Sequence, residues 1–170
     1  MYECTKEILG RNGYGRYEIS NYAKKGFACK HNIVYWKRGE YLGLGLGSSS
    51  LINNARFKNT SNLKEYIHAW KNGTGERVRC LEREVLSVRA QMEEFMFLGL
   101  RMMQGVSEKQ FESMFGRTME EVYGRQIDDM LKQDLLCVVP ETVGTDGGMR
   151  VALTEKGIDV SNYVFAQFLF

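Results

Sequence analysis

Histidine, cysteine and proline are scarce in this 170-residue chain, which has two histidines, four cysteines and one proline. Two histidines, His31 and His68, are too few for a multi-histidine metal centre within the chain. The four cysteines lack the paired spacing of a disulfide framework, so we expect reduced thiols. They are Cys4, Cys29, Cys80 and Cys137.

Long apolar runs are absent as well. No stretch approaches the roughly 20 apolar residues that span a bilayer, and the N-terminus has no signal-peptide pattern. We therefore expect a cytoplasmic protein with no integral membrane segment. A net charge of +2 gives no electrostatic reason to expect a nucleic-acid partner. Hydrophobic residues make up 44% of the chain and charged residues 26%, a globular composition sufficient for one domain or two small ones.

The first half of the chain predicts a mixture of helix, strand and loop. An N-terminal helix feeds a short strand through a glycine turn, and we expect the strands that flank this one to lie outside the chain. Residues 23–47 are rich in aromatic and glycine residues and are predicted as loop. The predicted elements are a helix over 1–9, strands over 17–19 and 50–57, short extended pieces at 35–36 and 41–42, and a helix over 62–71 capped by Ser61 or Asn62.

The second half predicts a winged-helix-like module. Its predicted elements are helices over 82–103, from 107 and over 118–134, a strand over 135–139, a turn at Thr145–Gly148, a strand over 149–153 and a last helix from Thr154. The predicted fold class is therefore α+β. We expect an α/β barrel remnant with an aromatic and glycine-rich loop over residues 1–80, and an α-rich winged-helix-like accessory domain over residues 81–170.

A winged-helix-like module raises DNA binding as an alternative. The helix that would read the major groove, residues 118–134, carries more acidic than basic side chains, which is the wrong balance among phosphates. The acidic residues are Glu120, Glu121, Asp128, Asp129 and Asp134, and the basic ones are Arg125 and Lys132, with Arg117 at the margin of the helix. We therefore predict no nucleic-acid partner, and a module that covers the site or docks a partner.

The candidate ligand-binding residues form an H-N-x-x-Y-W motif. It consists of His31, Asn32, Tyr35 and Trp36, two residues after Cys29. Imidazole is a good axial ligand for heme iron, and aromatic rings suit a planar tetrapyrrole. In the alternative interpretation, the histidine and asparagine hydrogen-bond the loop backbone and the aromatic residues only pack. His68 lies off the apolar stripe of its helix and is expected at the surface.

Three signatures, Tyr17–Ala23, His31–Trp36 and Tyr41–Gly47, follow one another at short spacing. With them the sequence resembles the oxygen-independent coproporphyrinogen III oxidase-like branch of the radical SAM superfamily, which includes heme chaperones. The resemblance implies the C-terminal piece of a longer protein whose N-terminal C-x3-C-x2-C motif holds a [4Fe-4S] cluster and cleaves S-adenosylmethionine. The cysteines of this chain never reach that spacing, so the cluster ligands are not in it.

The resemblance also implies roles for individual residues. The H-N-x-x-Y-W motif is associated with heme binding in the chaperone branch, which makes His31 the heme-iron ligand candidate and Cys29 an alternative or second donor. Ala23 corresponds to a position beside the adenine of S-adenosylmethionine. Ser49 stands where relatives place a histidine, so a role of imidazole there is in doubt. Glu18 is either buried and paired or faces the barrel interior, and we expect no catalytic residue in this chain.

The predicted function is heme binding and transfer, or another part in porphyrin metabolism, within a radical SAM protein. One alternative is a true oxygen-independent coproporphyrinogen III oxidase, which performs an oxidative decarboxylation. The other is a winged-helix interaction or DNA-binding module. The expected partners are heme or a porphyrinogen and the missing N-terminal half of the barrel, together with self-association through an unpaired strand edge.

Overall fold

The computed structural model describes residues 2–74, 81–141 and 148–169. Helices alternate there with three small antiparallel sheets, which confirms the α+β class. The helices are α1 (Tyr2–Arg11), α2 (Lys30–Trp36), α3 (Leu63–Lys71), α4 (Val88–Gly99), α5 (Glu108–Phe115), α6 (Met119–Lys132), α7 (Glu155–Asp159) and α8 (Ser161–Ala166). The strands are β1 (Gly15–Glu18), β2 (Asn21–Ala23), β3 (Ser49–Ile52), β4 (Ala55–Lys58), β5 (Leu81–Val85), β6 (Val106–Ser107), β7 (Leu136–Pro140) and β8 (Met149–Leu153).

Two compact units make up the chain. One unit combines residues 1–38 with residues 92–170, and the other consists of residues 39–91. The limits of these two units do not coincide with the predicted domain boundary at residue 80. The division into domains over residues 1–80 and 81–170 stays a prediction. None of the described helices has the length and apolar character needed to cross a bilayer.

The core of the first unit lies between α4, α5, α6, α8 and a sheet with the order β6-β8-β7. Phe111, Tyr123 and Phe168 are fully buried and meet edge to face, a geometry that stabilises aromatic pairs beyond their burial. Ser107 and Thr118 cap α5 and α6 as predicted. The predicted last helix is divided into α7 and α8 at Val160. Residues 145–147 of the predicted turn lie outside the described residues.

Both edges of β1 are occupied within the chain. On one side β1 pairs antiparallel with β2. On the other side the backbone N–H of Ile19 donates to the carbonyl of Arg101 at 3.1 Å, and that of Met103 donates to the carbonyl of Tyr17 at 3.1 Å. The expectation that the flanking strands lie outside the chain is therefore wrong. The reason given for self-association, an unpaired edge of this strand, is removed with it.

The second unit contains a three-stranded sheet with the order β3-β4-β5, and α3. The predicted single strand over 50–57 is a hairpin, because Asn53 and Asn54 both adopt positive φ (49° and 56°) and turn the chain. The predicted helix over 82–103 begins only at Val88, since residues 81–85 pair with β4. Asn62 caps α3 as predicted, its side chain accepting from the N–H groups of Lys64 and Glu65.

Candidate functional site

The H-N-x-x-Y-W motif lies on a helix. Within the loop predicted over 23–47, residues 30–36 are helical, so the loop prediction is wrong there and so is the extended piece at 35–36, because α2 begins at Lys30, directly after the extended Cys29. It ends at Trp36, where the backbone N–H of Lys37 donates to the carbonyl of Ile33 and that of Arg38 donates to the carbonyl of Tyr35. The aromatic and β-branched residues of this segment favoured extended structure locally, but the segment contains neither glycine nor proline to interrupt a helix. The motif residues therefore occupy fixed helical positions.

His31 and Tyr35 stand one helical turn apart and contact each other. The Tyr35 hydroxyl lies 3.2 Å from Nε2 of His31, and the two rings meet edge to face with centroids 5.0 Å apart. The imidazole is exposed. Such a bond orients the ring, and a ring nitrogen that is held in this way leaves the other nitrogen to act as a ligand.

Trp36, at the other end of α2, contacts an arginine that also forms an ion pair with a buried glutamate. The guanidinium of Arg101 lies over the indole ring, 4.4 Å from its centroid. Nη2 of Arg101 also donates to Oε2 of Glu18 at 3.3 Å. Glu18 is fully buried, and its other oxygen accepts from the backbone N–H of Ser20 at 2.8 Å and from the side chain of Asn21. Of the two alternatives for Glu18, the structure therefore shows the buried and paired one.

A second ion pair, with both side chains buried, anchors Arg38, two residues beyond the end of α2. Nε of Arg38 donates to Oε2 of Glu94 at 3.1 Å, and both side chains are at least nine-tenths buried. Glu94 is on α4, so this pair joins the C-terminal end of α2 to the core of the first unit. Sequence reasoning missed both arginine contacts, because their partners are more than 50 positions away and no local motif indicates them.

Ala23 lies at the end of β2 and is half-buried. Its Cα partner in the neighbouring strand is Gly15, which has no side chain. No side chain projects from the position paired with Ala23, which fits the close approach of a flat ring. The structure contains this hairpin and the α2 site in the same unit.

The glycine-rich signature Tyr41–Gly47 lies in the second unit. A Cβ at Gly43 would overlap the carbonyl oxygen of Ser49, so glycine is required there by the close approach of two backbones. This explains the glycine without a phosphate ligand. Ser49 begins β3 and is exposed.

No group of three or more metal-ligating side chains comes together among the residues that the structure describes. Cys4 and Cys29 are exposed and Cys137 is half-buried. Cys80 lies outside the described residues. Burial raises the pKa of the Cys137 thiol, and the charge of Asp134 adds to this increase. The described cysteines therefore do not resemble a cluster site.

Comparison with known proteins bears on the identity of the chain. Residues 86–142 match the family described as the HemN C-terminal domain. The heme chaperone HemW of Lactococcus lactis subsp. lactis (strain IL1403) is 40% identical over 169 residues, which cover 99% of this chain and 41% of that protein. HemW of Bacillus subtilis (strain 168) is 33% identical over 170 residues, covering 99% of this chain and 42% of that protein.

A solved structure is also similar. The radical SAM enzyme coproporphyrinogen III oxidase (HemN) from Escherichia coli superposes with a TM-score of 0.67 at 15% sequence identity, over 99% of this chain and 40% of that one. At this identity the likeness shows the fold alone. The chain spans less than half the length of each of these proteins. With 40% identity to a heme chaperone over nearly its whole length, the chain belongs to the oxygen-independent coproporphyrinogen III oxidase-like family of radical SAM proteins, as a C-terminal part of its heme chaperone branch that lacks the iron-sulfur cluster motif.

Proposed function

We propose that this chain supplies the heme-binding segment of a radical SAM heme chaperone, with His31 as the ligand of the heme iron. One observation carries the proposal: the imidazole of His31 is exposed on α2 and oriented by the hydroxyl of Tyr35 at 3.2 Å. A neutral imidazole held by a neighbour is the usual protein ligand of heme iron. Heme bound there would supply the iron. The chain would supply the side chain that ligates the iron and the protein surface around the heme.

The remaining motif residues have separate tasks in this proposal. Tyr35 holds the direction of the His31 ring through its hydroxyl, and Asn32 offers an amide on the adjacent stripe of α2. Trp36 presents an aromatic face that Arg101 holds in place. Because Arg38 and Glu94 fix the end of α2 to α4, the helix keeps the four side chains in register.

The wider assignment extends the same proposal. Ala23 would lie beside the adenine of S-adenosylmethionine, and the missing N-terminal half would supply the [4Fe-4S] cluster and complete the barrel to which residues 1–80 belong. Residues 81–170 would be a winged-helix-like accessory domain. The parent would act in the cytoplasm, receiving heme and passing it on. The fold of the solved relative and the names of the curated relatives support this assignment.

Hemin titration tests the role of His31. His31→Ala should weaken binding at least tenfold and shift the Soret band, because a coordinate bond is lost. His68→Ala is the matched control, since His68 is also exposed on a helix and is also bonded to a residue one turn away, Asn72 at 2.9 Å. The titration is done on this chain and on the full-length parent. Equal hemin affinity of wild type and His31→Ala in both proteins would overturn the proposal.

A further inference from the structure

A groove with an apolar floor lies in the first unit between α6 and the hairpin of β7 and β8. Its volume is about 570 Å³, and we call it the α6 groove. Val138 and Val151 are paired across the two strands, and Met149 stands two positions before Val151 on the same face of the sheet. Together with Met119 and Ile127 of α6, these side chains form the floor. Val138 is 43% exposed and Met149 44%, so part of the floor faces solvent.

The charged lining of the α6 groove is mainly acidic. Among the described residues that line it, four are acidic and two are basic. These are Glu108, Glu120, Asp128 and Asp129 against Arg125 and Lys132. Lys132 pairs with Asp129 at 3.7 Å. Glu108, Glu120 and Asp128 form no ion pair with any residue that the structure describes. The groove therefore keeps negative charge that attracts cationic side chains.

Gly124 leaves a gap in the helical wall of the α6 groove. It stands one turn after Glu120 and one turn before Asp128, in the interior of α6. Among the described atoms, a Cβ at this position would meet only Cγ of Glu120, at 3.5 Å, which is an ordinary contact with a flexible side chain. Packing within the described chain therefore does not require glycine, although glycine destabilises a helix interior. The gap admits a side chain of another molecule between the two carboxylates.

We propose that the α6 groove docks a basic amphipathic helix of a partner protein. Glu120 and Asp128 are two helical turns apart, about 12 Å along the axis of α6, which is too far for them to share one metal ion. Two lysine or arginine side chains two turns apart on the partner helix have the matching spacing. An apolar side chain between them would enter the gap at Gly124 and contact the floor.

The charge of the groove distinguishes this partner from other macromolecules. The carboxylates that make α6 unsuited to reading DNA repel any phosphate backbone, whereas they pair with the cations of a basic protein segment. The apolar floor adds a contact that a simple cation cannot use. The proposal goes beyond the heme site and does not depend on it.

Two helical peptides of equal length test the proposal. Both carry a stripe of leucines on a scaffold of alanine and glutamine. The leucines are flanked one turn away by lysines in the first peptide and by glutamates in the second. Fluorescence anisotropy measures their binding to this chain and to the full-length parent. The lysine peptide should bind at least tenfold more tightly, and its affinity should fall as salt is added. Equal affinities, or no binding of the lysine peptide, would overturn the proposal.

Charge variants test whether the peptide lies in the groove. Glu120→Gln combined with Asp128→Asn should weaken binding of the lysine peptide about fivefold. Glu112→Gln combined with Glu155→Gln is the matched control, because it removes two exposed carboxylates that do not line the groove. The control should change the affinity less than about twofold. Equal losses in the two double variants would mean attraction to net charge alone and would overturn the site.

Steric variants test the gap at Gly124. Gly124→Leu should weaken binding of the lysine peptide at least fivefold without lowering Tm, because leucine favours a helix more than glycine does. Ser113→Leu, on an exposed position of α5 outside the groove, should leave the affinity unchanged. Unchanged affinity in Gly124→Leu would overturn the proposal. Self-association of the wild type that Gly124→Leu abolishes would also overturn it, by assigning the groove to a second copy. His31→Ala should bind the peptide normally, which separates this proposal from the heme proposal.

Discussion

Glu18 and Arg101 form an ion pair across 83 positions of the chain, with 3.3 Å between Oε2 and Nη2. The same guanidinium covers the indole of Trp36. One arginine thus joins the strand of the first sequence signature to the helix of the second. The carboxylate is fully buried, and its hydrogen-bond donors are this arginine, the backbone N–H of Ser20 and the side-chain amide of Asn21.

Removal of the buried charge should destabilise the first unit. We expect Glu18→Gln to lower the free energy of unfolding by about 2 kcal/mol, less than for a fully buried pair, since about a quarter of the Arg101 side chain is exposed. Urea unfolding followed by circular dichroism measures this change. Glu155→Gln is the control, because it removes the exposed pair with Lys6 and should have no measurable effect. Equal midpoints for wild type and Glu18→Gln would contradict the prediction.

Two glycines with the same positive φ allow the strain of that φ and the crowding around a Cβ to be separated. Gly105 and Gly116 both have a φ of 66°. A Cβ at Gly105 would overlap the carbonyl oxygen of Val151, whereas a Cβ at Gly116 meets no atom within 4 Å. Gly116→Ala should cost about 1 kcal/mol, and Gly105→Ala about 3 kcal/mol. Thermal unfolding of the two variants checks this order, and a larger loss in Gly116→Ala would refute it.

The cysteines should differ in reactivity. Burial raises the pKa of the Cys137 thiol, which lowers its thiolate fraction near pH 8, and its side chain is half-buried whereas Cys4 and Cys29 are exposed. Alkylation of a Cys80→Ser variant, followed by mass spectrometry, should label Cys137 last. Because the pKa of this thiol is higher in the folded protein, the unfolded chain loses the proton at a lower pH than the folded protein does. The free energy of unfolding should therefore be greatest at neutral pH and decrease slightly as the pH rises through the thiol range. Labelling of Cys137 at the rate of Cys4 would contradict both expectations.

The chain alone should not assemble an iron-sulfur cluster. A cubane held by three neighbouring thiolates cannot be built from Cys4, Cys29, Cys80 and Cys137 at their spacing. After anaerobic reconstitution we expect no stoichiometric iron and no absorbance band near 400 nm. The full-length parent is the positive control. Stoichiometric cluster uptake by this chain would overturn the prediction.

The parts of the fold that sequence predicted correctly have local causes. The caps at Asn62, Ser107 and Thr118 depend on residues two or three positions away, so their patterns can be read directly. The turn at Asn53 and Asn54 is equally local. It was nevertheless missed, because the alternation of the flanking residues suggested one continuous strand.

The incorrect predictions involve distant partners. Val85 and Leu86 continue the helical spacing of α4, but β4 and the residue before it, Asn54, provide backbone partners that only the folded chain brings near. In the candidate site, the motif residues and their spacing were available from the sequence. The helix that carries them was not, because the contacts to Arg101 and Glu94 that anchor its end come from distant segments.

Imidazole rescue of His31→Ala measures most directly whether His31 ligates heme iron. Hemin-loaded wild type should show the Soret and electron paramagnetic resonance signatures of histidine ligation, in this chain and in the full-length parent. His31→Ala should lose them and recover them when free imidazole is added. His68→Ala should keep them throughout. Unchanged spectra in His31→Ala without imidazole, in both proteins, would contradict the assignment of His31 as the iron ligand.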